Sequence, residues 1–220
     1  MVHRRTSRFD KLPRGWRVIL PLVLFGLFGL LCAAYVMYPS IRARYLFAEL
    51  EKLQPGVSSA EQARELASRI HAERSATCDA SQCEWVKTID NAYLPGWWRG
   101  PGATFAIVFE VSGSTVVRKV SAFGTALKGE FHPSQVSVEE QQHWGREHRD
   151  RTTQEPLQAG WYTTDRFRYY WFQVRMTQKI PSEERRRFTS FNYFCLSKFR
   201  GCQDGREFLP ASAAWPVGGG

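Results

Sequence analysis

The longest apolar run of the chain lies close to its N-terminus. Residues 18–38 contain 21 consecutive positions without a charged side chain, and a helix of that length is about 31 Å long. This length is sufficient to cross the hydrocarbon core of a bilayer, which is about 30 Å thick. Trp16 on one side and Tyr35 and Tyr38 on the other are the amphipathic rings expected at the two interfaces. We therefore predict a transmembrane helix at 18–38.

A second apolar pattern follows the span directly. Pro39 and Ser40 are expected to end the membrane helix, and Ser40 can cap a new helix at 41–53. The Gln54-Pro55-Gly56 turn then stops this helix. The pattern divides the chain into a basic tail (1–17), a transmembrane helix (18–38), a juxtamembrane helix and turn (39–57), one folded domain (58–210) and a flexible tail (211–220).

The domain opens with a helix signature and continues with strands. Ser58 or Ser59, with Glu61 or Gln62 three residues later, forms a capping box. The apolar stripe of this second helix follows at Ala63, Leu66, Ala67 and Ile70. Short runs of branched and aromatic residues then predict strands at 83–89, 103–111, 115–123, 166–176 and 188–196, with a shorter one near 129–132.

The connections between these runs indicate how the strands pair. Residues 112–114 form a tight glycine-containing turn between two apolar runs, which is typical of a hairpin. Residues 134–160 are polar and only weakly periodic, so we expect a long loop with a helical turn. The fold class is therefore α+β: an N-terminal transmembrane helix, then a domain with an antiparallel sheet of five or six strands and one or two packed helices.

The charge distribution predicts the orientation of the span. Six Lys or Arg residues lie in 1–17 against a single acid, Asp10, so the positive-inside bias places this tail in the cytoplasm and the domain outside it. The formal net charge of +9 then leaves +4 after the span, which argues against a nucleic-acid partner. A cleaved signal peptide with Cys32 and Ala34 before the cut is the alternative, but its apolar core would exceed the usual length of about 7 to 15 residues.

The cysteines agree with an extracytoplasmic domain. Beyond Cys32 in the span, they form two close pairs, Cys78 with Cys83 and Cys195 with Cys202. In an oxidising compartment such pairs predict two disulfides, and local pairing is the simplest of three connectivities. A four-cysteine zinc site is the alternative, although neither pair has the usual spacing of two intervening residues.

Catalytic signatures are scarce. The chain has no Gly-x-Ser-x-Gly elbow, no Walker loop and no Gly-x-Gly-x-x-Gly motif. His143, Glu147 and His148 form one cluster, but their spacing matches neither His-Glu-x-x-His nor His-x-x-Glu-His. We predict no catalytic residue, cofactor or metal site. An envelope metal-dependent hydrolase that uses this cluster is the alternative function.

Two features are candidates for binding. Trp97 and Trp98 lie between Pro and Gly residues, and such rings can enter a membrane interface, stack on a sugar or simply cover a sheet edge. Arg185, Arg186 and Arg187 are expected at the turn between the strands at 166–176 and 188–196. There they can meet anionic lipid or a cell-wall polymer, or remain a solvated turn.

The C-terminal Cys202 to Pro210 segment and the Leu53-Gln54-Pro55-Gly56 turn carry a family resemblance. Together with the second helix and both cysteine pairs, they resemble uncharacterised single-pass membrane proteins of acidobacterial type. The resemblance implies a bacterial inner membrane and brings no activity. The sequence thus predicts an extracytoplasmic binding or scaffolding domain. Its partners are the lipid bilayer and an anionic lipid, a cell-wall polymer or another envelope protein, with the oligomeric state open.

Overall fold

The computed structural model combines one long helix with a sheet that carries shorter helices. It describes residues 14–76, 78–79, 81–91, 102–126, 135–142, 157–164, 167–198, 201–202 and 205–210. The helices in these ranges are α1 (Arg14–Leu50), α2 (Ala60–Ile70), α3 (Ser182–Thr189), a 3₁₀ helix (Tyr193–Leu196) and α4 (Gly205–Phe208). The strands are β1 (Glu73–Arg74), β2 (Gln82–Asp90), β3 (Gly102–Ser112), β4 (Thr115–Ala126), β5 (Gln135–Gln141), β6 (Leu157–Thr164) and β7 (Phe167–Thr177). This confirms an α+β chain with a long N-terminal apolar helix.

The α1 helix runs without interruption from the apolar segment into the domain. It is long and apolar enough to cross a membrane. The expected break at Pro39 is wrong, because Ser40, Ala43, Leu46 and Leu50 are buried in the domain. A proline inside a helix costs about 3 kcal/mol. The burial of these four side chains against the domain offsets that cost. Ser40 therefore does not cap a new helix.

The seven strands form one mixed sheet in the order β1-β2-β3-β4-β5-β7-β6. Neighbours are antiparallel except for β5 and β7, which are parallel. The expectation of a purely antiparallel sheet is therefore wrong at this pair. The predicted loop at 134–160 is also partly wrong, since 135–141 belongs to β5 and 157–160 to β6. Val136 and Val138 on β5 face the core.

The central hairpin of the sheet is confirmed. Strands β3 and β4 pair from Gly102 with Ala126 to Ser112 with Thr115. Gly113 adopts a φ of 63° in the turn, a conformation that favours glycine. The predicted short strand near 129–132 and the flexible tail at 211–220 lie outside the described residues.

The capping box of α2 is also confirmed. The side chain of Ser59 accepts a hydrogen bond from the backbone N–H of Gln62, and the Gln62 side chain accepts one from the N–H of Ser59. Ala63, Leu66 and Ile70 are buried against the sheet. The predicted amphipathic pattern therefore places this helix on one face of the sheet.

The C-terminal strand predicted at 188–196 is wrong. Residues 182–189 form α3, and the 3₁₀ helix follows at Tyr193–Leu196. Glu183 and Glu184 lie in the first turn of α3 and Arg186 in its last, which complements the helix dipole. Aromatic residues suit strands as well as buried helical segments, so the branched and aromatic content of 188–196 was a poor guide.

The core lies between one face of the sheet and the helices. Along β3, side chains alternate between buried and half-buried positions. Phe105 on β3 and Phe123 on β4 have ring centroids 4.8 Å apart, and Tyr193 packs edge-on against Phe105 at 5.4 Å. The helical segments α1, α2 and Tyr193–Leu196 contribute to this same core. The helix that leaves the apolar segment is therefore part of the packing of the domain.

Candidate functional site

The end of the domain nearest the apolar segment is built around Ser40. Its hydroxyl donates a hydrogen bond to the carbonyl oxygen of Tyr193 at 2.6 Å. Its oxygen also lies 2.5 Å from the hydroxyl of Ser197. All three residues are buried. The 3₁₀ helix is thereby held against α1 only two residues after Tyr38, where the apolar run ends.

A disulfide closes the loop that follows this contact. Cys195 and Cys202 are joined with a Cα–Cα distance of 5.0 Å, and both are buried. Gly201 has a φ of 65°, and a Cβ there would lie 2.9 Å from the backbone nitrogen of Ala103 on β3. Glycine therefore permits the loop to pack directly on the sheet.

Asn91 fastens the same loop to the strand ends. Its amide nitrogen donates to the carbonyl oxygen of Lys198 at 2.9 Å. Its side-chain oxygen accepts from the N–H of Ala103, also at 2.9 Å. Asn91 therefore connects the ends of β2 and β3 to Lys198 at this end of the domain.

The first disulfide occupies another part of the sheet. Cys78 and Cys83 are joined with a Cα–Cα distance of 4.2 Å, so local pairing is the connectivity of both bridges. Between them, the Asp79 carboxylate accepts hydrogen bonds from the Ser81 hydroxyl and from the N–H groups of Gln82 and Ser81. These bonds hold the pKa of Asp79 below its usual value, because they favour its charged form.

A groove lies beside this disulfide, between α2 and the β1–β2 edge. It has a volume of about 600 Å³ and is lined by Arg64, Arg74 and Trp85, among others. Trp85 stacks on Phe109 with centroids 5.6 Å apart, so it forms a buried wall of the groove. Arg64 is exposed and pairs with Glu61 at 3.3 Å. The groove combines this cationic and apolar surface with the hydrogen-bonded pair of Asp79 and Ser81.

A buried ion cluster lies at the opposite end of α1. Lys119 on β4 places its Nζ 3.0 Å from Glu51 and 3.1 Å from Glu140 on β5. Arg185 on α3 completes the cluster, with Nη1 2.5 Å from Glu140. Two cations face two carboxylates, and the side chains of Lys119 and Glu140 are only 5% exposed. The cluster joins the end of α1 to the sheet and to α3.

The three arginines at 185–187 therefore have different roles. The prediction that all three are solvated turn residues is wrong for Arg185, because it pairs with buried Glu140. Arg186 and Arg187 are exposed on α3, and Arg187 lies 5.7 Å from the ring centroid of Phe188. Only these two remain available to an anionic partner.

A second charged row crosses the sheet face that points away from the helices. The Arg118 guanidinium lies 3.2 Å from Glu110 and 2.7 Å from Glu139. Glu139 also lies 3.3 Å from Arg175 and accepts a hydrogen bond from Gln173 at 3.0 Å. The Nε atoms of both arginines are within ion-pair distance of Glu139 but are not aligned for a hydrogen bond. Opposite charges across strands stabilise the sheet, so we assign this row a structural role.

The remaining sequence candidates fall outside the described residues. These are Trp97 and Trp98, and the cluster of His143, Glu147 and His148. Within the described ranges, no group of three or more His, Cys, Asp or Glu residues is placed to hold a metal ion.

The buried cluster around Lys119 was missed from the sequence, although a signal for part of it existed. Val136 and Val138 alternate with polar residues, as in a half-buried strand. Continuing this alternation would have placed Glu140 on the core face. The contribution of Glu51 and Arg185 had no such signal, because it depends on the packing of two helices.

Replacing Arg185 with Gln should destabilise the chain, whereas replacing Arg186 should not. Loss of Arg185 removes one cation from buried Glu140, and a buried charged group that loses a partner costs about 1–3 kcal/mol. Arg186→Gln is the matched control and should stay within about 0.5 kcal/mol. The free energy of unfolding of the full chain in detergent micelles measures both. Equal effects would show that Arg185 does not support the fold.

Tyr193→Phe should leave stability unchanged or raise it at neutral pH. Within the described residues, the buried Tyr193 hydroxyl has no hydrogen-bond partner, and an unsatisfied hydroxyl costs about 1–3 kcal/mol. Burial and then the Glu51 charge raise the pKa of Tyr193, while Arg44 opposes them. Above about pH 10 the Tyr193 hydroxyl therefore ionises in the unfolded chain before it does so in the folded chain. The free energy of unfolding then falls as the pH rises. Denaturant unfolding at two pH values should show a smaller alkaline loss in the variant. A large loss at pH 7 would reveal a partner for the hydroxyl.

No protein-family model matches the chain, and the comparisons with curated proteins and with solved structures give no significant match. The function is therefore argued from the residues and their geometry.

Proposed function

We propose that the chain is a single-pass membrane protein whose extracytoplasmic domain binds or scaffolds a partner beside the membrane. The observation that carries this proposal is the continuity of α1. Its segment from Ile19 to Tyr38 is largely exposed and apolar, whereas Ser40, Leu46 and Leu50 in the same helix are buried in the domain. An apolar helix exposed over about 30 Å requires lipid around it.

The orientation is supported by two independent features. The basic residues of 1–17 favour a cytoplasmic N-terminus. The two disulfides favour an oxidising compartment for the domain. The bacterial inner membrane accommodates both, with the domain on its outer side, and the resemblance noted from the sequence also favours this location.

The described polar groups favour binding over catalysis. Lys119, Glu140, Arg118 and Glu139 are engaged in ion pairs with each other or with their neighbours. A catalytic group needs access to substrate and a free position near a reacting atom. The exposed arginines Arg186 and Arg187 do offer an accessible cationic surface.

The position of these two arginines favours an anionic partner in the aqueous compartment. Leu50 is ten positions after Ser40 in α1, so the C-terminal end of the helix lies about 15 Å beyond Ser40. The ion pairs through Lys119 hold Arg185 at this far end. At physiological salt the Debye length is about 8 Å, so headgroup charges are largely screened there. A cell-wall polymer or an anionic envelope protein therefore suits Arg186 and Arg187 better than lipid.

The membrane topology can be tested by cysteine labelling in intact cells. Cys32→Ser provides a background without a free thiol, and Val57→Cys adds one at a position 67% exposed in the domain. A membrane-impermeant maleimide should label Val57→Cys in intact cells. Ser7→Cys in the N-terminal tail should react only after permeabilisation. Labelling of Ser7→Cys alone in intact cells would reverse the orientation.

The role of the exposed arginines can be tested by sedimentation with purified peptidoglycan sacculi. Arg186→Gln combined with Arg187→Gln should weaken binding of the full chain at low salt, because it removes two accessible charges. Arg64→Gln combined with Arg74→Gln removes the same charge from the groove and is the matched control.

Anionic vesicles in place of sacculi form a second arm of this test, and the α3 variant should change vesicle binding less. Equal losses of sacculus binding for both double variants would mean that only net charge matters. Unchanged binding in the α3 variant would exclude these arginines.

A further inference from the structure

The loop closed by Cys195–Cys202 lies at the level where α1 leaves its apolar segment. Ser40 on α1 donates a hydrogen bond to the Tyr193 carbonyl oxygen. It also contacts the Ser197 hydroxyl, so both residues lie beside Ser40. Ser40 is two residues beyond Tyr38, which corresponds to about 3 Å along the helix axis. If α1 spans the bilayer as proposed, the start of this loop lies at the membrane interface.

Phe194 lies directly before this loop and is exposed. It is 51% exposed, whereas its neighbours Tyr193 and Cys195 are 8% and 0% exposed. A single exposed apolar side chain needs no explanation. Here, however, Phe194 follows Tyr193, whose carbonyl oxygen is bonded to Ser40. Ser40 lies on α1 between Tyr38 and Ile41, which are 56% and 61% exposed. The backbone at Phe194 is therefore next to the end of the apolar segment.

Basic groups accompany these rings. Arg42 donates a hydrogen bond to the Tyr38 hydroxyl at 2.9 Å, and the Arg44 guanidinium lies 5.7 Å from the centroid of the Tyr193 ring. Lys198 in the loop pairs with Glu207 at 2.8 Å, yet its side chain remains 39% exposed. An exposed tyrosine ring with an arginine beside it, as in the pair of Tyr38 and Arg42, is typical of the headgroup region of a membrane.

The described residues that follow Phe194 are held to the domain by several contacts. The disulfide closes the loop, Gly201 packs on Ala103, and Asn91 bonds to Lys198. Inserting the ring into lipid therefore costs little additional conformational entropy, because the backbone is already ordered.

We infer that Phe194, beside the Cys195–Cys202 disulfide, forms a second membrane contact, which inserts at the boundary between headgroups and acyl chains. The partner of this surface is the lipid bilayer itself. One helix alone leaves the domain free to rotate about the helix axis and to tilt. A second contact beside it holds one side of the domain against the membrane and so fixes which surfaces face the aqueous compartment. This inference rests on the proposed transmembrane role of α1.

Photocrosslinking of the full chain in lipid nanodiscs tests this contact. The photoreactive amino acid p-benzoylphenylalanine is placed singly at position 194, at 28 and at 57. Phe28 lies in the apolar segment and Val57 beyond the far end of α1, and both are exposed. After illumination, mass spectrometry should find lipid adducts at 194 and 28 and none above the dark control at 57.

The three positions separate the failure of this inference from the failure of the proposed function. Adducts at 28 without adducts at 194 would overturn the second contact and leave the span intact. Absence of lipid adducts at 28 would overturn the transmembrane role and this inference with it. Crosslinks from 194 to a second copy of the chain instead of lipid would show that a protein covers this ring, which also overturns the lipid contact.

Discussion

The structure depends on one helix that meets two different environments. In its first part α1 exposes Leu, Phe and Val side chains on all sides, a surface suited to lipid, and in its second part it buries a narrow stripe against the sheet. The hydroxyl of Ser40 marks the transition, because a buried polar group needs partners and finds them in Tyr193 and Ser197. Since no break separates the two parts, the position of the helix in a bilayer would determine the position of the domain in the proposed topology. A flexible linker would have decoupled them.

The far end of the same helix is held by charge. Glu51 follows α1 and pairs with Lys119, which also contacts Glu140 and, through it, Arg185. Buried ion pairs contribute little net stability, because desolvation offsets their attraction. Their geometry is specific, however, and a missing partner is costly. We interpret this cluster as the element that fixes the end of α1 and the position of α3 on the sheet.

The distribution of satisfied and exposed groups bears on function. Charged side chains on the sheet pair with each other across strands, as around Arg118 and Glu139. Among the described residues, surface cations on α3 and Phe194 beside the apolar segment are accessible to a partner. Such surfaces can provide affinity for polymers, proteins or lipid. The proposed binding or scaffolding role rests on them.

The elements whose pattern is local could be predicted from the sequence. The length of the apolar run depends only on composition, the capping box at Ser59 needs four residues, and the β3–β4 hairpin needs one turn at Gly113. Close spacing of the cysteines was likewise enough to expect local disulfides, and the structure has this pairing.

Only the tertiary structure decided the features that depend on distant partners. Pro39 is a helix terminator by local rules, yet packing of Leu46 and Leu50 on the sheet keeps α1 intact. Aromatic residues at 188–196 fit a strand as well as a helical turn, and their burial beneath α1 selected the second. The three adjacent arginines look equivalent in sequence. The position of Glu140 on β5, 45 residues from Arg185, makes one of them part of the fold and leaves two at the surface. Local patterns report the preferences of neighbouring residues, whereas these outcomes depend on contacts between segments far apart in the chain.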